Sequence, residues 1–251
     1  MMQAMIFAAG LGPRLKPLTD TMPKALVPVH GEPLLHHVIY KLQSSGFNDI
    51  VINIHHFADQ IRQYLSDQSS FGASISLSEE QPVLRETGGG ILHAKDLLLA
   101  GEEDGAPFLV HNVDILSDLD LGWFVSQWRE DALAVLLVSE RKTQRYLLFD
   151  DDMRLVGWTN IATGEVRTPY PSLDVDRCRM YAFSGIHLIS NHVFDGYYTA
   201  INLGWGWNQY HLNRNNYGTS IDLVGLLHIL QLAVLLQQTD GGGSDVHEAD
   251  G

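Results

Sequence analysis

From residue 4 to residue 138, short apolar runs alternate with amphipathic stretches, and this alternation restricts the fold of the 251-residue chain more than any other feature. Ala4–Ala8, Ile50–Ile54, Ala73–Leu77, Phe108–Val110 and Leu133–Val138 read as buried strands. A helix is expected to start near Pro33, with Leu34, Leu35, Val38, Ile39 and Leu42 on one face and Gly46 ending it. Ala58–Leu65 reads as a short helix with Ile61 and Leu65 inward, and Ile91–Leu99 as another amphipathic helix. Strands alternating with helices at this spacing imply βαβ units and a mostly parallel sheet, so the expected class is α/β. Right-handed crossovers then place helices on both faces.

After residue 140 the pattern changes. Tyr146–Phe149 and Arg154–Trp158 flank Asp150, Asp151 and Asp152 as a hairpin with an acidic turn, and Ala182–Ile189 reads as a further strand. Leu223–Leu236 is nearly all apolar but falls short of the roughly 20 residues of a membrane span. It reads as a buried or interface helix, which leaves a homo-oligomer open. The Gly- and acid-rich stretch 239–251 reads as a disordered tail. The expected organisation is a domain over 1–195, an atypical segment over 196–238 with the apolar helix, and the tail.

Composition excludes several classes of partner. The formal net charge of −14 does not suit nucleic acid or an anionic membrane surface. The one cysteine, Cys178, forms no internal disulfide, and no signal-peptide pattern is present at the N-terminus, so the expected location is the cytoplasm. The N-terminal segment runs against the acidic average: over residues 1–31, Arg14, Lys16 and Lys24 face a single acid, Asp20. A local cationic island in an acidic chain points to a small anionic ligand.

That island sits in a long Gly- and Pro-rich connection, Gly10 to Pro33, and long ordered loops in compact domains tend to be functional. Gly10 and Gly12 directly follow a strand, where glycine lets the backbone approach a ligand and expose N–H groups to an anion. The loop lacks the Gly-Lys-Ser/Thr of a P-loop. It also lacks the third glycine and early helix of a dinucleotide fingerprint, which counts against a nicotinamide-dependent oxidoreductase. Arg14 suits bidentate contact with phosphate oxygens. Lys24, held by Pro23, suits a point charge on an α-phosphate, where charge builds during transfer.

With these residues in view, Ala8-Ala9-Gly10-Leu11-Gly12-Pro13-Arg14-Leu15-Lys16-Pro17-Leu18-Thr19 followed by Pro23-Lys24-Ala25-Leu26-Val27-Pro28-Val29 resembles the signature of the sugar-1-phosphate nucleotidyltransferase family. Two further motifs resemble the family's in order and spacing. Glu86-Thr87-Gly88-Gly89-Gly90 is similar to its base-binding loop, here read as three glycines before a helix. Asn112-Val113-Asp114 is similar to its metal motif, at a strand end where open parallel sheets place ligands. Phe183-Ser184-Gly185-Ile186 resembles the late strand lining its sugar pocket.

The resemblance covers about residues 3–190 and leans toward the branch containing N-acetylmuramate 1-phosphate uridylyltransferase and mannose-1-phosphate guanylyltransferase-like proteins. It implies a Rossmann-like αβα three-layer sandwich and a reaction joining a nucleoside triphosphate, UTP or GTP, to a sugar 1-phosphate. It implies Arg14, Lys24 and Asp114 as catalytic residues, with nucleotide contacts from Ala8, Ala9, Gly10, Leu11, Gly12, Pro13, Arg14, Lys24, Glu86, Thr87, Gly88 and Gly89. Sugar contacts are implied at Asn112, Ser184 and Gly185, and Mg²⁺ at Asp114, a hard oxygen ligand.

Two departures from the family pattern stand out. Pro13 occupies a position where the family carries threonine or serine; proline removes an N–H donor and fixes φ. The family's second metal-binding aspartate has no clear counterpart, and the nearest candidate is Asp222 in Ser220-Ile221-Asp222-Leu223-Val224-Gly225. These departures motivate a competing expectation: a nucleotide-binding regulatory homologue with weakened catalysis.

Overall fold

The computed structural model describes residues 2–82, 84–100 and 105–194, together with two strands at 232–236 and 247–248. The chain opens with β1 (Ala4–Phe7), a long loop, and a small ladder of β2 (Pro28–Val29) and β3 (Glu32–Pro33). Then follow α1 (Leu34–Ser44), β4 (Asp49–Ile54), α2 (Ala58–Asp67) and β5 (Ser74–Glu79). Next come α3 (Glu86–His93), α4 (Lys95–Leu98), β6 (Pro107–Asn112), β7 (Ile115–Leu116) and α5 (Leu121–Ser126). The remaining strands are β8 (Ala134–Ser139), β9 (Arg145–Phe149), β10 (Leu155–Asn160), β11 (Glu165–Arg167), β12 (Arg179–Ser190), β13 (Leu232–Leu236) and β14 (His247–Glu248).

One ten-stranded mixed sheet organises the molecule, in the order β11-β10-β9-β12-β6-β1-β4-β5, with β8 pairing β12 and β13. Its core, β6-β1-β4-β5, is wholly parallel. β12 runs antiparallel to β6, β8 and β9, and the acidic-turn hairpin is β9 with β10. The two faces are both covered, as continuous apolar strands require. Ala4, Ile6, Ile50, Ile52 and Ile54 pack with Leu35, Ile39, Ile61 and Phe124 of α1, α2 and α5. Met5, Val51 and Val110 point the other way, to Ile91, Ala94 and Leu98 of the α3–α4 region. This is the expected α/β three-layer arrangement. Each fully buried Leu or Ile contributes about 1.5–3 kcal/mol relative to exposure, so the interleaved faces supply most of the drive to fold.

Two expected elements differ. The helix expected at Ile91–Leu99 starts at Glu86 and divides into α3 and α4. Within the apolar run expected to be helical over Leu223–Leu236, residues 232–236 instead form β13, a parallel neighbour of β8 in register Leu232↔Ala134 to Leu236↔Val138. Five successive apolar residues around Val234 lack a polar face, and the outer edge of β8 offers a ladder of unpaired backbone groups that such a run can satisfy. Residues 223–231, with Asp222, lie outside the described residues, as does most of 239–251, where only His247–Glu248 is described, as a strand on β7. Among the described residues no helix is long and apolar enough to cross a membrane.

Candidate active site

The carboxyl ends of β1 and β6 lie side by side in the parallel core, and the conspicuous residues gather there. β1 ends at Phe7, and the amides of Ala8 and Ala9, both buried, donate to Asn53 Oδ1 at 2.7 and 3.2 Å. Gly10 and Leu11 are exposed beyond them, and a Cβ on Gly10 would meet nothing within 4 Å. Gly12 adopts the left-handed conformation, φ 58°. A Cβ there would come within 3.0 Å of both Lys24 Cβ and Thr19 Cγ2, so glycine is required by backbone angle and by space. The loop folds back on this residue: Leu15 N and Thr19 Oγ1 both donate to Gly12 O, at 3.0 and 2.8 Å.

Pro13 opens a short 3₁₀ turn, Pro13–Leu15, at a position where a helical turn has no intrahelical use for an N–H. The turn presents Arg14 on the surface. Lys16 pairs with Asp20 at 3.1 Å between exposed side chains. Lys24 is different. It starts the turn Lys24–Leu26, is only 15% exposed, and its Nζ forms an ion pair with Asp114 Oδ2. Asp114, also 15% exposed, stands in the two-residue turn between β6 and β7. That turn is fixed to β1, because Val113 N donates to Phe7 O at 3.1 Å. Residues 90 apart in sequence are thus brought together where the two strands end.

β12 supplies the next wall. Gly185 has φ 74°, and the pairing of β12 with β8 shifts register between Phe183 and His187. A Cβ on Gly185 would stand 2.8 Å from Ile115 Cγ1 and 2.9 Å from Asn112 Nδ2, so the glycine lets the bulge press against the Asn112 side chain. Ser184 Oγ is buried without a hydrogen-bond partner among the described residues. Asn112, Ser184 and Gly185 therefore do share one neighbourhood with Asp114. Beneath them, His111 and His187 are fully buried. Desolvation depresses the His111 pKa to about 4, against a hydrogen bond to Asn112 O that favours the proton. Desolvation, then the neighbouring His111, takes His187 to about 3.

The glycine triplet takes a different local structure from the one expected. Glu86, Thr87, Gly88, Gly89 and Gly90 lie inside α3 rather than in a loop before it. Glycine disfavours helix by about 1 kcal/mol per residue, so docking must hold this one. Arg85, the residue capping the helix, donates its amide to Glu80 Oε2 at 2.7 Å. Gly90 lies against Glu80 Oε1, Asn53 Nδ2 and Phe7 Cε1, at 2.6, 3.1 and 3.3 Å from where its Cβ would be. The free amides here come from a helix N-terminus, which still suits an anion or a polar ring edge. Sequence reading missed Asn53 and Glu80. Their one local signal is a polar residue interrupting the apolar run of β4 and an acid just past β5.

The family model described as nucleotidyl transferase matches residues 3–147, more than half of the chain. The N-acetylmuramate alpha-1-phosphate uridylyltransferase of Neisseria meningitidis serogroup B is 46% identical over 119 residues, 47% of this chain and 49% of that protein. The mannose-1-phosphate guanylyltransferase catalytic subunit beta of Danio rerio is 30% identical over 156 residues, 60% of this chain and 42% of that one. The chain thus spans about half the length of the curated relatives it matches. A Bacillus anthracis structure solved in complex with a sucrose superposes with a TM-score of 0.68 at 17% identity, covering 95% of this chain and 87% of that one, which supports the fold.

Proposed function

Because the chain belongs to the nucleotidyl transferase family, we propose that it joins a nucleoside triphosphate to a sugar 1-phosphate and releases pyrophosphate. The observation that carries this reading is the meeting of Lys24 with Asp114 at adjoining strand ends, beside a glycine loop bearing Arg14. A phosphate oxygen of the sugar 1-phosphate attacks the α-phosphorus in line. The bond from that phosphorus to the bridging oxygen breaks, and pyrophosphate leaves with the electron pair. No protein nucleophile is needed, since positioning and electrostatics carry such transfers.

In this reading Arg14 grips the outer phosphates, the amides from Gly10 to Gly12 line the triphosphate, and Lys24 neutralises the α-phosphate as charge builds. Pro13 contributes only shape. Thr87, Gly88 and Gly89 at the start of α3 face the base, and Asn112, Ser184 and Gly185 hold the sugar. Asp114 is the hard oxygen donor this reading assigns to a divalent cation, and among the described residues no group of three or more His, Cys, Asp or Glu gathers to complete a site. Magnesium held there would supply charge neutralisation at the phosphates. The relatives named uridylyltransferase favour UTP, and those named guanylyltransferase make GTP the second choice. The charge of −14 and the single cysteine favour small-molecule partners in the cytoplasm.

The test is a pyrophosphate-release screen of four nucleoside triphosphates against a set of sugar 1-phosphates with Mg²⁺. Release above background with UTP or GTP is expected. No release from any pair refutes the proposal.

A further inference from the structure

The two backbone segments that frame the site are joined beneath it by one pair of side chains. Asn53, near the end of β4, and Glu80, just past β5, are 2% and 0% exposed. Asn53 Oδ1 accepts from the amides of Ala8 and Ala9, where the glycine loop begins. Its Nδ2 donates to Glu80 Oε1 at 2.7 Å. The other carboxylate oxygen accepts from the amide of Arg85 at 2.7 Å, where α3 begins. The carboxamide orientation follows from its surroundings, since Oδ1 faces two donors and Nδ2 faces an acceptor. A second observation points the same way. Gly90 is the glycine of the triplet that packs on this pair, and any side chain there would collide with Glu80 Oε1.

An apolar pair would fill the same space without the desolvation that a buried carboxylate demands, and such a group persists where every hydrogen bond is made. The connection itself is what the polar pair adds. We infer that Asn53 and Glu80 are a positioning pair that fixes the phosphate loop and the start of α3 at one separation, so that the triphosphate and the base of one nucleotide are gripped together. The inference rests on the nucleotide reading above. It assigns Gly90 to the pair and leaves Gly88 and Gly89 to the ligand.

Exchanging the two functional groups tests it. Asn53→Asp alone sets two carboxylates against each other. Glu80→Gln alone sets an amide N–H against either Asn53 Nδ2 or the Arg85 amide. The double variant restores every bond: the new carboxylate accepts from Ala8 and Ala9, and the new carboxamide donates to it while accepting from Arg85. Each single variant is expected to weaken UTP binding, measured by calorimetry, about tenfold, with the double variant returning to within about threefold of the parent. The KM for the sugar 1-phosphate stays within about twofold in all three, a split that general loosening would not give.

Amide hydrogen exchange without ligand gives an independent readout. Each single variant speeds exchange over both 5–14 and 84–92, and the double variant slows it again. Gly90→Ala, which presses on Glu80, weakens UTP binding in the same way and supplies the comparison should a single variant fail to fold. The idea is overturned if each single variant loosens only the segment it touches. It is equally overturned if the double variant is as weak as the two singles multiplied, or if Gly90→Ala binds UTP like the parent. Should the parent protein bind none of the four nucleoside triphosphates, the functional reading falls, and the exchange pattern still decides the pair.

Discussion

Lys24 and Asp114 each satisfy the other in a partly buried pocket, so removing either leaves an uncompensated charge as well as a missing contact. Lys24→Ala is expected to lower kcat/KM by about 10²–10³ if Lys24 meets charge that develops in the transition state. Steady-state pyrophosphate release checks this, and a change confined to KM would assign Lys24 to binding alone. His187 offers a stability test. Both ring nitrogens lack hydrogen-bond partners among the described residues, and the ring is neutral because burial holds its pKa near 3. In the unfolded chain it titrates near 6.5. Above pH 6.5 neither state takes up the proton and stability is full. As pH falls from 6.5 toward the folded values of about 3 and 4, the unfolded chain binds protons that folded His187 and His111 refuse, and stability falls. By pH 5 that amounts to about 2 kcal/mol for each histidine. His187→Leu should therefore flatten the decline in urea-unfolding free energy between pH 7 and pH 5 by about 2 kcal/mol. An unchanged slope would sink this account.

At the scale of elements, the bulge in β12 is the most constrained feature. Gly185→Ala would require a left-handed alanine and would push a methyl group into Ile115 and Asn112. A loss of about 2 kcal/mol or more is expected, read by thermal or urea unfolding. A variant as stable as the parent would mean that the bulge relaxes freely. The same elements show what sequence made legible. The parallel core was readable because β1, β4 and β6 are short apolar runs with turn residues beyond them. Asp114 was readable because it follows a strand end beside an Asn. The start of α3 was not, because three glycines argue locally against helix and the contacts that hold it, Glu80 to Arg85 and Gly90 on Asn53, come from β4 and the residue just past β5. The pairing of Asn53 with Glu80, 27 residues apart, has no period or motif to announce it. The helix expected through Leu236 failed at 232–236 for a related reason, since an apolar run takes the state its neighbour offers and β8 offers an edge.

For the whole molecule, that edge matters. β8 is held between β12 and β13, and its five residues Ala134–Val138 are buried. A chain truncated after Phe194 would lose β13 and expose an apolar strand with unpaired amides and carbonyls, a template for association. Light scattering is expected to show soluble oligomers or aggregate for the truncated chain, whereas a monodisperse monomer would show that β13 is dispensable. The parallel core is also tied at its two rims. Gln3 Nε2 donates to Asp49 Oδ2 at 2.8 Å and to Leu97 O at 3.1 Å, where β1 and β4 start. Asn53 takes the amides where β1 ends. In mechanical terms β1 is a beam clamped at both supports, unable to slide along its neighbours. The held run therefore extends to Ala9, and Gly10, where a Cβ would meet nothing within 4 Å, is the first residue of the loop beyond it.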